Sequence, residues 1–311
     1  MNPVIGAAKV DKILSQFSQF YTNSNYIAEL ILPRLAVKER TGKFAKYGKE
    51  NLRAYSGQIL RAPGTRAHSV DYSVSQGSYA CTEKSLEKLV ADEFVNNTDD
   101  PYSPKRDATA VLMDNIMVNQ EVALSTALSS TAIITQNVTL SGTDKWSDQA
   151  NSSPLTNIDT AIETVRAATG QQPNLIVFSR NAWLAFRAHP DVREQLKYTN
   201  GGNNSVAAWV QFVKDYFNLE EVLVGNAVYN SANEGQTDVI ADIWANNVWV
   251  AFRAKQPTLM KATLGLTLSD VPREVDTYRD ESRRGDVLRI RDSYDQNLFD
   301  TSLAYLIKSA V

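Results

Sequence analysis

The chain has 311 residues, 43% hydrophobic and 22% charged, a globular composition that excludes intrinsic disorder. Its net charge of −3 gives no global basic field for nucleic acid, and one cysteine (Cys81) with two histidines (His68, His189) excludes intrachain disulfides and Cys- or His-rich metal sites. No apolar run approaches the roughly 20 residues of a membrane helix, and the start MNPVIGAAKV lacks a signal peptide's charged region and apolar core, so a protein made in a reducing cytoplasm is expected.

In chain order, Ile13, Phe17, Phe20 and Tyr21 predict a short helix, and the apolar run Ile27, Leu30, Ile31, Leu32 ends at Pro33. Residues 38–82 read as a long polar ribbon. Phe44 and Tyr47 mark a first strand, and Val70, Tyr72 and Val74, at period two, a second, with Gly48, Gly57, Pro63 and Gly64 between. Large apolar residues are too sparse here for a core of the ribbon's own. Over 38–68 there are eight Lys/Arg against two Asp/Glu, net +6.

Leu86, Leu89, Val90 and Phe94 predict a short helix, followed by the loop NNTDDPYSPKRD. Pro104 suits a helix start, and no Gly or Pro interrupts the chain from there to Ser130. A helix over 104–130 would be roughly 40 Å long at about 1.5 Å per residue. It is apolar around most of its circumference, with Asp107, Asp114 and Glu121 seven apart on one polar seam. Over 92–121, seven acidic residues face two basic ones, net −5.

Beyond a β-like and loop segment (131–154) the pattern turns α/β. A helix carries Ile158, Ile162 and Val165 on one face and stops at Gly170 and Pro173. Asn174–Ser179 is an apolar run typical of a buried strand, Arg180–Ala188 a helix ending at His189-Pro190, 205–217 a further helix, and 221–224 and 244–252 strands. From 255 onward the pattern is β. Met260, Ala262, Leu264, Leu266 and Leu268 alternate, and a charged strand pair over 273–292 turns at Arg284-Gly285. Leu303–Ile307 closes the chain. Over 270–300, nine acidic and six basic residues occur.

The chain contains no dinucleotide, P-loop, nucleophile-elbow or HExxH motif. Cys81 with His68 or His189 would be the nucleophile and base of an enzyme, but Cys81 also reads as a small buried residue at a strand end, and His189-Pro190 as a cap or turn. Asp99-Asp100 reads as a solvated loop. GGNN (201–204) lacks the lysine and the strand–loop–helix setting of a phosphate loop. Trp209, Phe212, Tyr216 and Phe217 form a core face rather than a base-stacking platform. No cofactor is expected.

The charge pattern is more informative. A long ribbon with few core residues is costly to order in a monomer and becomes reasonable when it lies on a neighbouring copy. A basic ribbon and an acidic helix favour a head-to-tail contact, which builds rings or shells. The candidate inter-subunit contacts are Lys43, Lys46, Lys49, Arg53, Arg61 and Arg66 with Asp107, Asp114 and Glu121. Pairing of ribbon and helix within one subunit, or solvation of both, would produce the same pattern.

The order of arm, ribbon, long helix, α/β segment and returning strands, with the stretches FAKYGKENLR (44–53), QILRAPGT (58–65), PNLIVFSRNAWLAFRAHPDVREQLKY (173–198), NLEEVLVGNAVYN (218–230) and AYLIKSAV (304–311), resembles the major capsid proteins of tailed bacteriophages. The resemblance implies the α+β Hong-Kong-97-type fold. It assigns 1–37 to an N-terminal arm held by neighbours, 38–82 to an extended β-hairpin loop, 83–154 and 254–311 to a peripheral domain with its spine helix at 104–130, and 155–253 to an axial domain. It implies a non-enzymatic subunit that assembles with many copies of itself into the hexamers and pentamers of an icosahedral virion shell. That shell encloses double-stranded DNA held non-specifically, without a membrane. Scaffolding, decoration and portal proteins would be further partners, and assembly would occur in the host bacterial cytoplasm. Nothing in the sequence identifies the lysine–asparagine crosslink of some members. No long helical prefix precedes the arm, so a separate scaffolding protein, or none, is expected. An encapsulin-like compartment shell shares the fold and is the alternative; an α/β enzyme built on 155–253 is the alternative of a different class. Reversal of Arg53 and Arg61 to Glu should impair particle formation while leaving a soluble subunit. Normal particles by electron microscopy would exclude electrostatic docking by the ribbon.

Overall fold

The structure, a computed structural model, describes residues 9–10, 14, 25–47, 60–70, 74–96, 103–200, 205–233, 235–259 and 261–311. In chain order the strands are β1 (Lys9–Val10), β2 (Arg34–Ala36), β3 (Thr41–Tyr47), β4 (Val74–Ala80), β5 (Thr82–Ala91), β6 (Asn137–Thr139), β7 (Leu175–Ser179), β8 (Glu221–Gly225), β9 (Val228–Asn230), β10 (Ile240–Asp242), β11 (Val248–Ala251), β12 (Gly265–Asp280), β13 (Gly285–Leu298) and β14 (Ala304–Lys308). The helices are α1 (Ala28–Ile31), α2 (Asp92–Asn96), α3 (Pro104–Leu128), α4 (Pro154–Thr169), α5 (Arg180–Ala188), α6 (Pro190–Asn200) and α7 (Val206–Phe217). The helix expected at Ile13–Tyr21, apart from Leu14, lies outside the described residues. So do the Asp99-Asp100 loop, the GGNN turn, Tyr72 and Met260.

The first sheet has the order β1-β12-β13-β5, with β2 added parallel to β12. Its backbone is the long hairpin β12–β13, whose turn at 281–284 places Arg284 in the left-handed region at φ 47°. The register shifts between Ser269 and Glu274, around Pro272, which has no N–H to give a ladder. The segment expected as a helix from Leu86, Leu89, Val90 and Phe94 is instead mostly strand. Thr82–Ala91 pairs along ten residues of β13, and only Asp92–Asn96 is helical. The spacing 86, 89, 90, 94 fits a helix, but the unpaired edge of β13 supplies a full ladder of hydrogen bonds, and tertiary pairing overrides local pattern. The second ribbon strand begins at Val74, later than Val70 suggests; Val70 is exposed and outside any strand.

The second sheet has the order β6-β14-β11-β7-β8. β7 and β11 are buried throughout, as short apolar runs predict. Helices α4–α7 cover one face, with Ile158, Val165, Phe186, Val192, Phe212 and Val213 fully buried around Trp146. The strand expected over 244–252 shortens to Val248–Ala251 because 243–246 make a turn with Ala245 at φ 46°. That turn tucks Trp244 edge-on against Trp249 at 5.2 Å. β14 pairs with β11 and β6 rather than with the preceding hairpin, so 254–311 contributes strands to both sheets.

Helix α3 joins the two. It starts at Pro104 as expected and is apolar nearly all round because it crosses both sheets. Leu112, Met113 and Ile116 pack on Val275, Leu288 and Ile290 of the first. Leu124 and Leu128 pack beside Trp249 and Leu306 of the second, where the Trp249 indole donates to Leu128 O at 2.9 Å.

The dense charge of 270–300 is satisfied largely across the first sheet. Asp292, fully buried, accepts a two-pronged bond from Arg34 at 2.9 and 2.8 Å and a third from Arg273 Nε at 2.8 Å. Arg273 also pairs with Glu29. Asp276, equally buried, holds Arg289 and Arg291 at 2.7 and 2.9 Å. Removing one member of such a set strands buried charge. Asp292→Ala is therefore expected to cost about 3–5 kcal/mol of stability, measured by denaturant unfolding, while the exposed Glu163→Ala is expected to change little.

Candidate assembly interface

The ribbon springs from one end of β12–β13, and its base is built from small and aromatic residues in alternation. In the β3–β4 register, Phe44 stands opposite Gly77 and Tyr79 opposite Gly42. Each ring lies over the facing glycine: a Cβ on Gly77 would come within 2.3 Å of the Phe44 ring, and one on Gly42 within 2.6 Å of the Tyr79 hydroxyl. The two reciprocal pairs lock the register, since a one-residue slip would turn both rings to the other face. Phe44 also stacks on Phe299, with ring centres 3.9 Å apart, and both rings join Leu266 and Leu268 in a small core. Two bonds complete the anchor, Asn297 Nδ2 to Ser78 O at 3.0 Å and Ala80 N to Asp295 at 3.1 Å.

Cys81 lies at the junction of β4 and β5. Its thiol donates to Leu268 O at 3.4 Å, Arg40 Nε donates to its carbonyl at 3.0 Å, and burial pushes its pKa up. This is the setting of an unreactive structural thiol. His189 is buried elsewhere, between α5 and α6, with Nε2 3.2 Å from Ser152 Oγ and Nδ1 accepting from Asp191 N at 3.3 Å. His68 lies on the exposed ribbon. No cluster of three or more His, Cys, Asp or Glu is placed to hold a metal, and no helix is long and apolar enough to cross a membrane, among the described residues.

Of the basic ribbon residues, Lys43, Arg61 and Arg66 are exposed. Lys46 stands in β3 opposite Ser75. Lys49 and Arg53 lie outside the described residues. Throughout 60–70 every residue is exposed, Leu60 and Val70 included.

The acidic seam divides. Asp107 is exposed in the first turn of α3 and Asp114 is half-buried, but Glu121 is fully buried. Its carboxylate accepts Ile27 N at 3.0 Å, Ala28 N at 2.8 Å and the Trp244 indole N–H at 2.6 Å. Burial pushes its pKa up, against the lowering effect of these donors. Glu121 is thus an internal residue and not a surface contact. The seven-residue spacing does keep the three acids on one stripe, but the helix carries that stripe from solvent into the junction of the two sheets. Sequence spacing alone does not show where a long helix passes under other elements.

Beside Asp107 the surface opens into an apolar groove of about 830 Å³ between β5, α2 and α3, walled by Leu86, Leu89, Phe94, Val111 and Leu112. Phe94 is 72% and Val111 60% exposed. Exposed apolar residues gathered in one place mark a contact surface. The sequence hint was the same set, Leu86, Leu89 and Phe94, read there as a helix face.

Two sheets bridged by a long helix, a hairpin at one of them and an α/β lobe on the other are the arrangement of the Hong-Kong-97-type fold. The comparisons agree. A sequence profile of phage major capsid protein E matches residues 132–264. The major capsid protein of Burkholderia phage BcepMu is 26% identical over 306 residues, covering 96% of this chain and 95% of that protein. The crystal structure of a phage-related protein from Bordetella bronchiseptica RB50 superposes with a TM-score of 0.76 at 24% identity, covering 98% of each chain. The capsid structure of cyanophage P-SCSP1u gives 0.57 at 11% identity over 93% of this chain and 89% of that one. The resemblance read from the sequence is borne out: along nearly its whole length the chain is similar to phage major capsid proteins.

Gly77→Val forces a side chain into the Phe44 ring. It is expected to lower stability by about 1–3 kcal/mol through overpacking, read as a fall in Tm, with Gln76→Ala, exposed at the preceding position of the same strand, as the contrast.

Proposed function

We infer that this chain is the major capsid protein of a tailed double-stranded DNA phage, many copies of which assemble as hexamers and pentamers into an icosahedral shell. Similarity to phage major capsid proteins along nearly the whole chain carries this reading. The work is assembly rather than catalysis, and the buried, hydrogen-bonded setting of Cys81 supports that. The phage names of the sequence relatives favour a genome container over an encapsulin-like compartment.

Within this reading, residues 1–37 are the arm, 38–82 the extended loop, 83–154 and 254–311 the peripheral domain and 155–253 the axial domain. The ribbon of one copy lies along the groove of the next. Leu60 and Val70 fill the apolar floor while Lys43, Lys46, Lys49, Arg53, Arg61 and Arg66 meet Asp107 and Asp114. Burial of the exposed Phe94 and Val111 drives the contact, and the charges select register and partner. Portal, scaffolding and decoration proteins are the further partners, DNA is held without sequence preference, and assembly takes place in the host cytoplasm before the shell becomes part of the virion.

The test is electron microscopy and size-exclusion chromatography of the purified chain. Closed shells, tubes or hexamer-sized rings are expected. Val111→Asp, exposed and therefore compatible with folding, should leave a soluble subunit that forms none of them. Particles unaffected by Val111→Asp would remove the groove from the contact, and a monomer under all conditions, with or without co-expressed phage proteins, would overturn the shell reading.

A further inference from the structure

A second feature lies far from ribbon and groove, in the helical layer over the second sheet. Leu184 and Arg187 of α5, Arg193, Leu196 and Lys197 of α6 and Trp209 of α7 wall a hollow of about 610 Å³. Arg193 and Lys197 are four apart on one helix and so share a face. Arg193 Nε donates to Arg187 O at 3.0 Å, which sets the two arginines side by side. The Arg187 guanidinium lies over the Trp209 ring at 5.5 Å, and its Nε is buried without a hydrogen-bond partner.

Among the described residues, no carboxylate lines this hollow. Glu194, exposed, lines the adjoining one together with Arg193 and Lys197. The contrast with the first sheet is sharp: there Arg34, Arg273, Arg279, Arg289 and Arg291 all rest on carboxylates. Here three cations converge, like charges four apart on a helix repel, and a buried donor goes unused. An oxyanion in the hollow relieves the first two. Guanidinium groups bind phosphate with paired N–H donors, and the apolar walls of Leu196 and Trp209 strengthen the attraction by excluding water.

We propose that this hollow binds a phosphate-type oxyanion, free or carried on a nucleic-acid backbone. The proposal does not rest on the shell reading, because the unassembled subunit contains every residue named. It is tested by titrating the purified chain at low salt with pyrophosphate and, separately, with a short DNA duplex, following tryptophan fluorescence and heat. Saturable binding is expected, weakening as salt rises. Arg193→Gln with Lys197→Gln should weaken it by about tenfold or more, and Lys214→Gln on α7 should leave it unchanged. Binding of both ligands, or of pyrophosphate alone, identifies a free-phosphate site; binding of duplex alone identifies a backbone site. Equal affinity in the Arg193/Lys197 variant overturns the proposal. So does the absence of saturable binding to either ligand, including the case in which that variant alters only particle assembly, which would make the anion a carboxylate of a second copy.

Discussion

One buried carboxylate holds the crossing point of the molecule. Glu121 sits where α3 passes from the first sheet to the second, and its oxygens take donors from two other places, the backbone at the start of α1 and the indole of Trp244. A carboxylate removed from water is tolerated only when its oxygens are satisfied, so the start of α1, the long helix and the Trp244 turn depend on one another there. The neighbouring set of Arg34, Arg273, Glu29 and Asp292 ties α1 and β2 to the first sheet's long hairpin. The helix therefore behaves as a beam pinned to both lobes.

Charge is used in two ways along this chain. In the first sheet acids and bases neutralise one another across strands and against α1 and β2, which selects register and leaves little for outside partners. On the ribbon, Lys43, Arg61 and Arg66 are exposed, and the core that its described residues share lies at its base. The proposed shell function would use both. Internal pairs define the subunit's shape, and unspent charge on a projecting element remains available for recognition between copies.

Much of this was legible in the residues. The turn at Arg284-Gly285 was read directly, and once that hairpin is placed, Asp276 falls opposite Arg289 and Glu274 opposite Arg291, so the cross-strand pairs follow from arithmetic on the sequence. The buried strands and amphipathic helices of the second sheet were equally plain, because burial on a single face writes a period into the chain. Three features were not. β5 carries apolar residues at 86, 89, 90 and 94, a spacing that suits a helix, and becomes a strand only through the edge that β13 offers. Glu121 shares a stripe with Asp107 and Asp114, and nothing local tells which end of a long helix is covered. The cationic hollow draws Arg187, Arg193 and Trp209 from three helices, and only the packing of those helices brings the side chains together. For the candidate interface, the ribbon's charge and sparse apolar content could be read locally, whereas its receiving groove emerged only after folding.

The position of β14 has a temporal consequence. It separates β6 from β11 in the second sheet, so residues near 137 wait for residues near 306 before their sheet can close. Contacts so distant along the chain form late, after the loop-closure entropy has been met. During synthesis the ribbon and the first turns of α3 leave the ribosome long before that strand does. A nascent chain thus lacks both its groove, whose wall β5 needs the late strand β13, and its closed second sheet, so neither lobe is complete until translation is nearly over.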